Sequence, residues 1–119
     1  MDFTFDNNIP IYVQLLEYLK IYLISGVFKP GDKLPSVRDF ANTFKVNPNT
    51  MQKALSELED MELIYTERTN GKYVTNDQEI IDKLKDEYAL TLAKSYFNGM
   101  KRIGLGKADS IKYLEGIED

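Results

Sequence analysis

The chain has 119 residues, 43% hydrophobic and 12% aromatic, enough apolar mass for one small globular domain with at most an appendage. It contains no cysteine and no histidine, which removes disulfides, thiolate chemistry, the common zinc sites and the usual general base, so no metal or cofactor is expected. The net charge of −4 is unevenly spread: residues 29 to 53 hold Lys29, Lys33, Arg38, Lys45 and Lys53 against Asp32 and Asp39, and acids gather in SELEDMEL and NDQEIIDKLKDE.

Screening confines each charge to about 10 Å at moderate salt, so a basic middle on an acidic chain is compatible with a DNA partner. The stretch MDFTFDNNIP lacks the basic start and apolar core of a signal peptide, and no apolar run reaches membrane-spanning length. A cytoplasmic protein with no membrane partner is expected.

In chain order, Asn8 is placed to cap a helix opening with Pro10, since proline is tolerated in a first turn. Tyr12, Leu15, Leu16, Leu19 and Leu23 then repeat at helical spacing as far as Gly26. FKPGDKLPS reads as a loop, because two prolines and a glycine oppose regular structure. Ser36 begins a second, short helix, with Asp39 three residues on in a capping-box arrangement and Val37, Phe40, Ala41 and Phe44 as its apolar positions.

The stretch FKVNPNTMQKAL follows. Asn47 suits an N-cap and Pro48 the first helical position, and the residue before a proline is pushed out of helical geometry. The second helix must therefore break before Asn47 and a third must run to about Met61. Two helices across a tight turn make a helix-turn-helix. Asn47, Asn49, Thr50, Gln52 and Lys53 lie at the polar N-terminal end of the third helix, and Met51, Ala54, Leu55 and Leu58 on its inward face.

LIYTERTNGKYVTN reads as two short strands turned at Asn70-Gly71, a pair in which both residues tolerate positive φ. Arg68 and Lys72 flank that tip, and a hairpin directly after such a helix is a wing. Asn76 with Glu79 starts another capped helix, and Ile80, Ile81, Leu84, Tyr88, Leu92 and Tyr96 keep helical spacing. Gly99, Gly104 and Gly106 are expected to break it. KADSIKYLEGI forms a last short helix with Ile111, Leu114 and Ile117 on one face. The fold class is mainly α with a small β-hairpin: a winged helix-turn-helix domain over residues 1–75 and a two-helix C-terminal tail over 76–119.

Residues 9 to 76 resemble the N-terminal winged helix of GntR-type bacterial transcription regulators. The ordered signature is Pro10-x-Tyr12-x-Gln14, then G-x-x-x-P-G-x-x-L-P-S-x-R from Gly26 to Arg38, then V-N-P-N-T and a glycine in the hairpin. Asn-Pro-Asn-Thr and the short tail are similar to the YtrA-like subfamily in particular. The resemblance implies a homodimeric regulator, often of transporter operons, with the tail forming the dimer through Ile81, Leu84, Tyr88, Leu92 and Tyr96. Larger relatives carry a separate effector-binding domain, for which this chain has no room, and no effector is assigned.

Carried over by position, Ser36 and Arg38 form the Ser-x-Arg motif, a phosphate or base contact. Asn47, Asn49 and Thr50 start the recognition helix, with Gln52 and Lys53 following on its exposed side. Gly71 brings the wing backbone to the minor groove, among Arg68, Asn70 and Lys72. Many members have arginine where this chain has Pro48, so Arg38, Lys53 or the wing must contribute more.

Each signal also has a plainer meaning. An Asn-Pro helix start is most often a cap alone, an isolated surface arginine is usually just solvated, and an Asn-Gly hairpin is usually only a turn. The Ile81-to-Tyr96 stripe serves its own domain unless the helix outlasts what that domain needs. An enzyme is the second reading and fares badly: there is no histidine, cysteine or phosphate-cradling loop, and the carboxylates fall mostly on exposed helix faces, so none is expected. The expected function is a DNA-binding transcription regulator, a repressor, that binds a palindromic double-stranded operator as a homodimer. The alternative is a winged helix used for protein contact, without DNA affinity.

Overall fold

In the computed structural model, which describes residues 4–119, local chain chemistry accounts for most element boundaries. The order is α1 (Ile11–Ser25), α2 (Val37–Phe44), α3 (Pro48–Asp60), β1 (Ile64–Glu67), β2 (Gly71–Val74), α4 (Gln78–Arg102) and α5 (Lys107–Glu115). The chain divides into two compact units, the first ending at Asp82 and the second spanning Lys83–Asp119. Residues 1–3 of the expected first domain lie outside the described residues.

In the first unit α3 packs on α1, α2 and β1. Its inward residues Met51, Ala54, Leu55 and Leu58 are fully buried, as the spacing requires. They meet Leu15, Leu19 and Leu23 of α1, Phe40 and Phe44 of α2, and Ile64 and Val74 of the hairpin in one core. An aromatic cluster fills one side of it. Phe44 lies 5.6 Å from Phe40, 5.8 Å from Tyr22 and 6.4 Å from Tyr18 between ring centres, and Phe28 closes the cluster against Tyr22 and Phe40.

The cap of α1 differs from the sequence expectation. Pro10, not Asn8, stands at the N-cap, and no side chain caps there. Pro10 itself is extended (φ −52°, ψ 134°), so helical geometry begins only at Ile11 and Asn8 stands three residues before it, in a turn closed by the Ile9 N–H donating to the Asp6 carbonyl. Gln14 holds the entering chain instead: its Nε2 donates to the carbonyls of Asp6 (2.7 Å) and Ile9 (2.8 Å), and its Oε1 accepts from the Asp6 N–H (2.6 Å). Ser36 caps α2 as expected, its Oγ accepting the Asp39 N–H at 3.1 Å.

Both α2 and α3 end in a paired carbonyl closure that no glycine announces. Val46 and Lys45 donate to Ala41 and Asn42 at the end of α2, and Leu63 and Glu62 donate to Leu58 and Glu59 at the end of α3. The closing residues take positive φ, 56° at Lys45 and 62° at Glu62. A left-handed conformation costs an L-residue about 1–2 kcal/mol, of which glycine's extra freedom in the unfolded chain would return about 0.5–1. Glu62→Gly is therefore expected to stabilise the protein by about 0.5–1 kcal/mol, read as a melting point a few degrees higher. A lower melting point would mean that the exposed Glu62 side chain contributes something the backbone geometry does not reveal.

The hairpin pairs Ile64 with Val74 through to Glu67 with Gly71. Its loop is longer than a two-residue Asn-Gly turn: the Asn70 N–H donates to the Glu67 carbonyl, and only Gly71, at φ 106°, takes positive φ. The loop before α2 is also more regular than its prolines suggested. Gly31 donates to Val74 (3.0 Å), Val74 to Asp32 (2.8 Å) and Leu34 to Lys72 (2.8 Å), so Lys33 pairs with Tyr73 at the hairpin's outer edge. The prolines flank this short pairing and need donate nothing to it.

Asp77, not Asn76, caps α4: its Oδ1 accepts the Glu79 N–H at 3.0 Å. Asn76 is held elsewhere, its amide donating to the Tyr65 hydroxyl at 3.4 Å while its oxygen lies 2.7 Å from where a Cβ on Gly31 would stand. Gly99 does not break the chain but lies inside α4. One interior glycine costs only about 1 kcal/mol, which a long helix tolerates. The break comes at Gly104, at φ 87°, where Leu105 and Gly104 donate back to Met100 and Lys101. In the second unit the Tyr96 hydroxyl donates to the Ser110 carbonyl (2.8 Å), and the Asp109 carboxylate accepts the Gly106 N–H at the start of α5 (3.2 Å). Ile117 lies beyond the end of α5.

Candidate nucleic-acid interface

The N-terminal end of α3 stands at the surface because its cap and its core face are both fixed. The Asn47 Oδ1 accepts the Asn49 N–H at 2.7 Å, and Pro48 presets the first helical turn. The Asn47 oxygen is thus occupied, and its amide NH₂ remains as a donor. Asn49, Gln52 and Lys53 are exposed on the side opposite Met51 and Ala54, and Thr50 is half-buried. Positions 49, 52 and 53 share one helix face.

Two of these side chains have neighbours within the domain. The Gln52 amide donates to the Ser56 hydroxyl at 3.2 Å. The Lys53 ammonium sits 4.4 Å over the Tyr12 ring of α1, a contact worth about 0.5–1 kcal/mol when exposed. Burial, with the nearby Glu57 and Asp60 carboxylates, pushes the Tyr12 hydroxyl above its ordinary pKa, so it stays a neutral hydrogen-bonding group. Tyr12 thereby acquires a place at this surface that its position in a helical stripe did not suggest.

Arg38 is exposed on the first turn of α2 and forms no ion pair among the described residues. Ser36, its partner in the motif, uses its hydroxyl oxygen as the α2 cap. Between this helix start and the hairpin runs a cleft of about 530 Å³, lined in part by Ser36, Thr66, Asn70, Gly71 and Lys72. The fold thus brings Ser36 of the Ser-x-Arg motif and the hairpin residues Asn70 and Gly71 to one cleft, and Arg68 and Asn70 are exposed on the hairpin loop.

Lys72, expected among the DNA-binding residues of the wing, has partners within the domain. Its Nζ donates to Thr66 Oγ1 at 3.0 Å and pairs with the Glu59 carboxylate at 3.7 Å, and its side chain is only 16% exposed. Thr66 Oγ1 in turn donates to Glu59 Oε1 at 2.5 Å. A lysine in the hairpin is tied to α3. Lys33, which sequence reasoning did not single out, lines the same cleft and is exposed. Its edge pairing with Tyr73 carries no local sequence signal beyond the apolar Leu34 beside it.

Of the tail residues, Ile81 and Leu84 are buried in the single chain. Tyr88 and Tyr96 are half-buried, and Leu92 is 69% exposed. Within the second unit, Leu90, Ala93, Phe97, Ile111 and Leu114 line an apolar groove of about 300 Å³. Among the described residues no three acidic ligands cluster as for a metal ion, and no helix is long and apolar enough to cross a membrane.

Comparison with known proteins points one way. The family model described as bacterial regulatory proteins, gntR family, matches residues 11–74, from α1 through β2. The HTH-type transcriptional regulator YhcF of Bacillus subtilis is 39% identical over 118 residues, which is 99% of this chain and 95% of that protein. The HTH-type transcriptional repressor YtrA of the same organism is 44% identical over 71 residues, 60% of this chain and 55% of that protein. A solved GntR family transcriptional regulator from Listeria monocytogenes superposes with a TM-score of 0.88 at 38% identity, covering 96% of this chain and all of that one.

Proposed function

Because this chain belongs to the gntR family of bacterial regulatory proteins, we propose that it is a sequence-specific DNA-binding transcription regulator, a repressor, that reads a palindromic operator as a homodimer. The observation that carries this reading is the α3 N-terminus: a row of exposed amide and cationic side chains on a helix capped by Asn47. Residues 1–75 are the DNA-binding part and 76–119 the tail that joins two copies. The protein acts in the cytoplasm, and no effector is assigned.

In the major groove, Asn49 and Gln52 can each pair bidentately with adenine, and the Thr50 methyl can meet a thymine methyl. Gln52 must leave Ser56 to do so, a small cost for an exposed hydrogen bond. The Asn47 amide adds a donor at the helix start. Arg38 and Lys53 hold phosphates, which position the helix but carry no sequence information. At the hairpin, Arg68 and Asn70 accompany the Gly71 backbone toward the minor groove.

The test begins with selection of genomic fragments that bind the purified protein, followed by titration of the recovered site at two salt concentrations. Asn49→Ala should cost about 1–3 kcal/mol at a few base pairs and leave sequence-blind binding nearly intact. Pro48→Ala should do much less, because Pro48 shapes the helix start and touches no base. Equal loss on every sequence for Asn49→Ala would contradict base reading. A protein with no salt-dependent DNA affinity at all would be a protein-contact module.

A further inference from the structure

Two lysines line the cleft between the hairpin and α2, and the pleat of the sheet assigns them opposite faces. Successive residues of a strand alternate sides, and residues paired across strands share one. Thr66 pairs with Lys72 and Ile64 with Val74; Ile64 and Val74 are buried, so this face looks toward the core and α3. That is where the Lys72 ammonium meets Thr66 and Glu59. Tyr65 and Tyr73 pair on the other face, with rings stacked at 5.7 Å. Lys33 pairs with Tyr73, and Gly71 lies two residues from Tyr73, so both belong to that outer face.

The lysine stem confirms the placement. A Cβ built on Gly71 would stand 3.6 Å from the Lys33 Cε, so the lysine stem lies along the bare backbone of the hairpin glycine. Lys33 is exposed and forms no ion pair among the described residues, including with Glu67 on the same face. The neighbouring Asp32 carboxylate accepts the Lys29 N–H at 2.8 Å. Lys72 is neutralised by Glu59 and Lys33 is not. A phosphate entering this cleft therefore finds one uncompensated ammonium beside Gly71.

We propose that Lys33 is the phosphate-binding cation of the wing, and that Lys72 is a positioning residue that ties the wing to α3 through Glu59 and Thr66. The proposal rests on the DNA-binding reading above. It makes the wing contact a composite: the glycine comes from β2, and the charge from the loop before α2.

The experiment is a salt titration of DNA affinity with the full chain, on the selected site and on an unrelated fragment. Lys33→Ala should weaken both by a similar factor and flatten the slope of log affinity against log salt by about one unit, with Lys33→Arg restoring it. Lys72→Ala should leave the slope within a few tenths of that of the unaltered protein, whatever it does to affinity or melting point. An unchanged slope for Lys33→Ala, given a normal slope in the unaltered protein, overturns the Lys33 assignment. A loss of one unit for Lys72→Ala overturns the positioning role. Absence of any salt-dependent binding in the unaltered protein would instead remove the DNA reading itself. Lys33 joins the sheet through its backbone and is exposed, so the alanine variant is expected to fold, and its melting point checks this.

Discussion

Phe44→Ala is expected to destabilise the protein by about 3–5 kcal/mol, the usual cost of removing a buried phenylalanine. Small domains have only about 5–15 kcal/mol in total, so this is a large share. Phe44 is fully buried and touches rings from both α1 and α2: Tyr18, Tyr22 and Phe40. It is also the last residue of α2, directly before the left-handed Lys45 that turns the chain toward α3. The cavity would therefore open at the joint that sets the angle between the two helices of the motif. Denaturant unfolding should show a lower midpoint with an unchanged slope. Phe28→Ala, a half-buried ring at the edge of the same cluster, should cost clearly less. A loss below about 1 kcal/mol at Phe44 would mean that the site collapses around the missing ring, and that the cluster is not what holds the two helices together.

The parts of this fold legible in the sequence were those fixed by chemistry within a few residues. The start of α3 is the clearest case, because an asparagine cap, a proline at the first position and the restriction on the residue before it all act locally. The inward stripe Met51, Ala54, Leu55 and Leu58 was legible for the same reason, as one period repeated on one helix. Caps with several candidates were not. Asn76 and Asp77 are equally good in isolation, and the choice falls to Asp77 while the Asn76 amide reaches the Tyr65 hydroxyl, eleven residues away in the chain. The left-handed residues at the ends of α2 and α3 were missed because Lys45 and Glu62 are not residues that conformation favours.

The candidate site divides along the same line. The row Asn47, Asn49, Thr50, Gln52 and Lys53 could be placed from helix geometry alone. The lysines near the hairpin could not, since Lys33 and Lys72 look alike in sequence. What separates them is the pairing of two segments far apart in the chain and the alternation of faces that follows. The tail shows a related limit. Its helical spacing identified one apolar stripe but could not reveal that Ile81 and Leu84 are already buried while Leu92 is not.

That difference decides how the proposed homodimer should be tested. Cutting the chain after Thr75 would remove Ile81, which is 4% exposed, so loss of DNA binding could reflect a damaged fold. Leu92→Glu is the cleaner change. Leu92 is 69% exposed in the single chain, and Leu90, Ile103, Ile111 and Leu114 are exposed on the same two helices or at their ends. In a two-fold symmetric pair the substitution acts twice, bringing a carboxylate from each copy to the shared apolar surface. Sedimentation should then show the unaltered chain as a dimer at tens of micromolar and the variant as a folded monomer. Once the copies separate, the second half-site is no longer engaged intramolecularly, and operator affinity should fall by about 10²–10⁴. Sequence-blind binding should persist at a Kd of about 10⁻⁴–10⁻⁶ M, because each monomer keeps its phosphate contacts. Leu84→Glu would instead be expected to lower the melting point, since that residue is buried without a second copy. If the unaltered chain sediments as a monomer yet binds its operator tightly, the exposed tail residues are ordinary surface, and a single winged helix must supply all of the specificity.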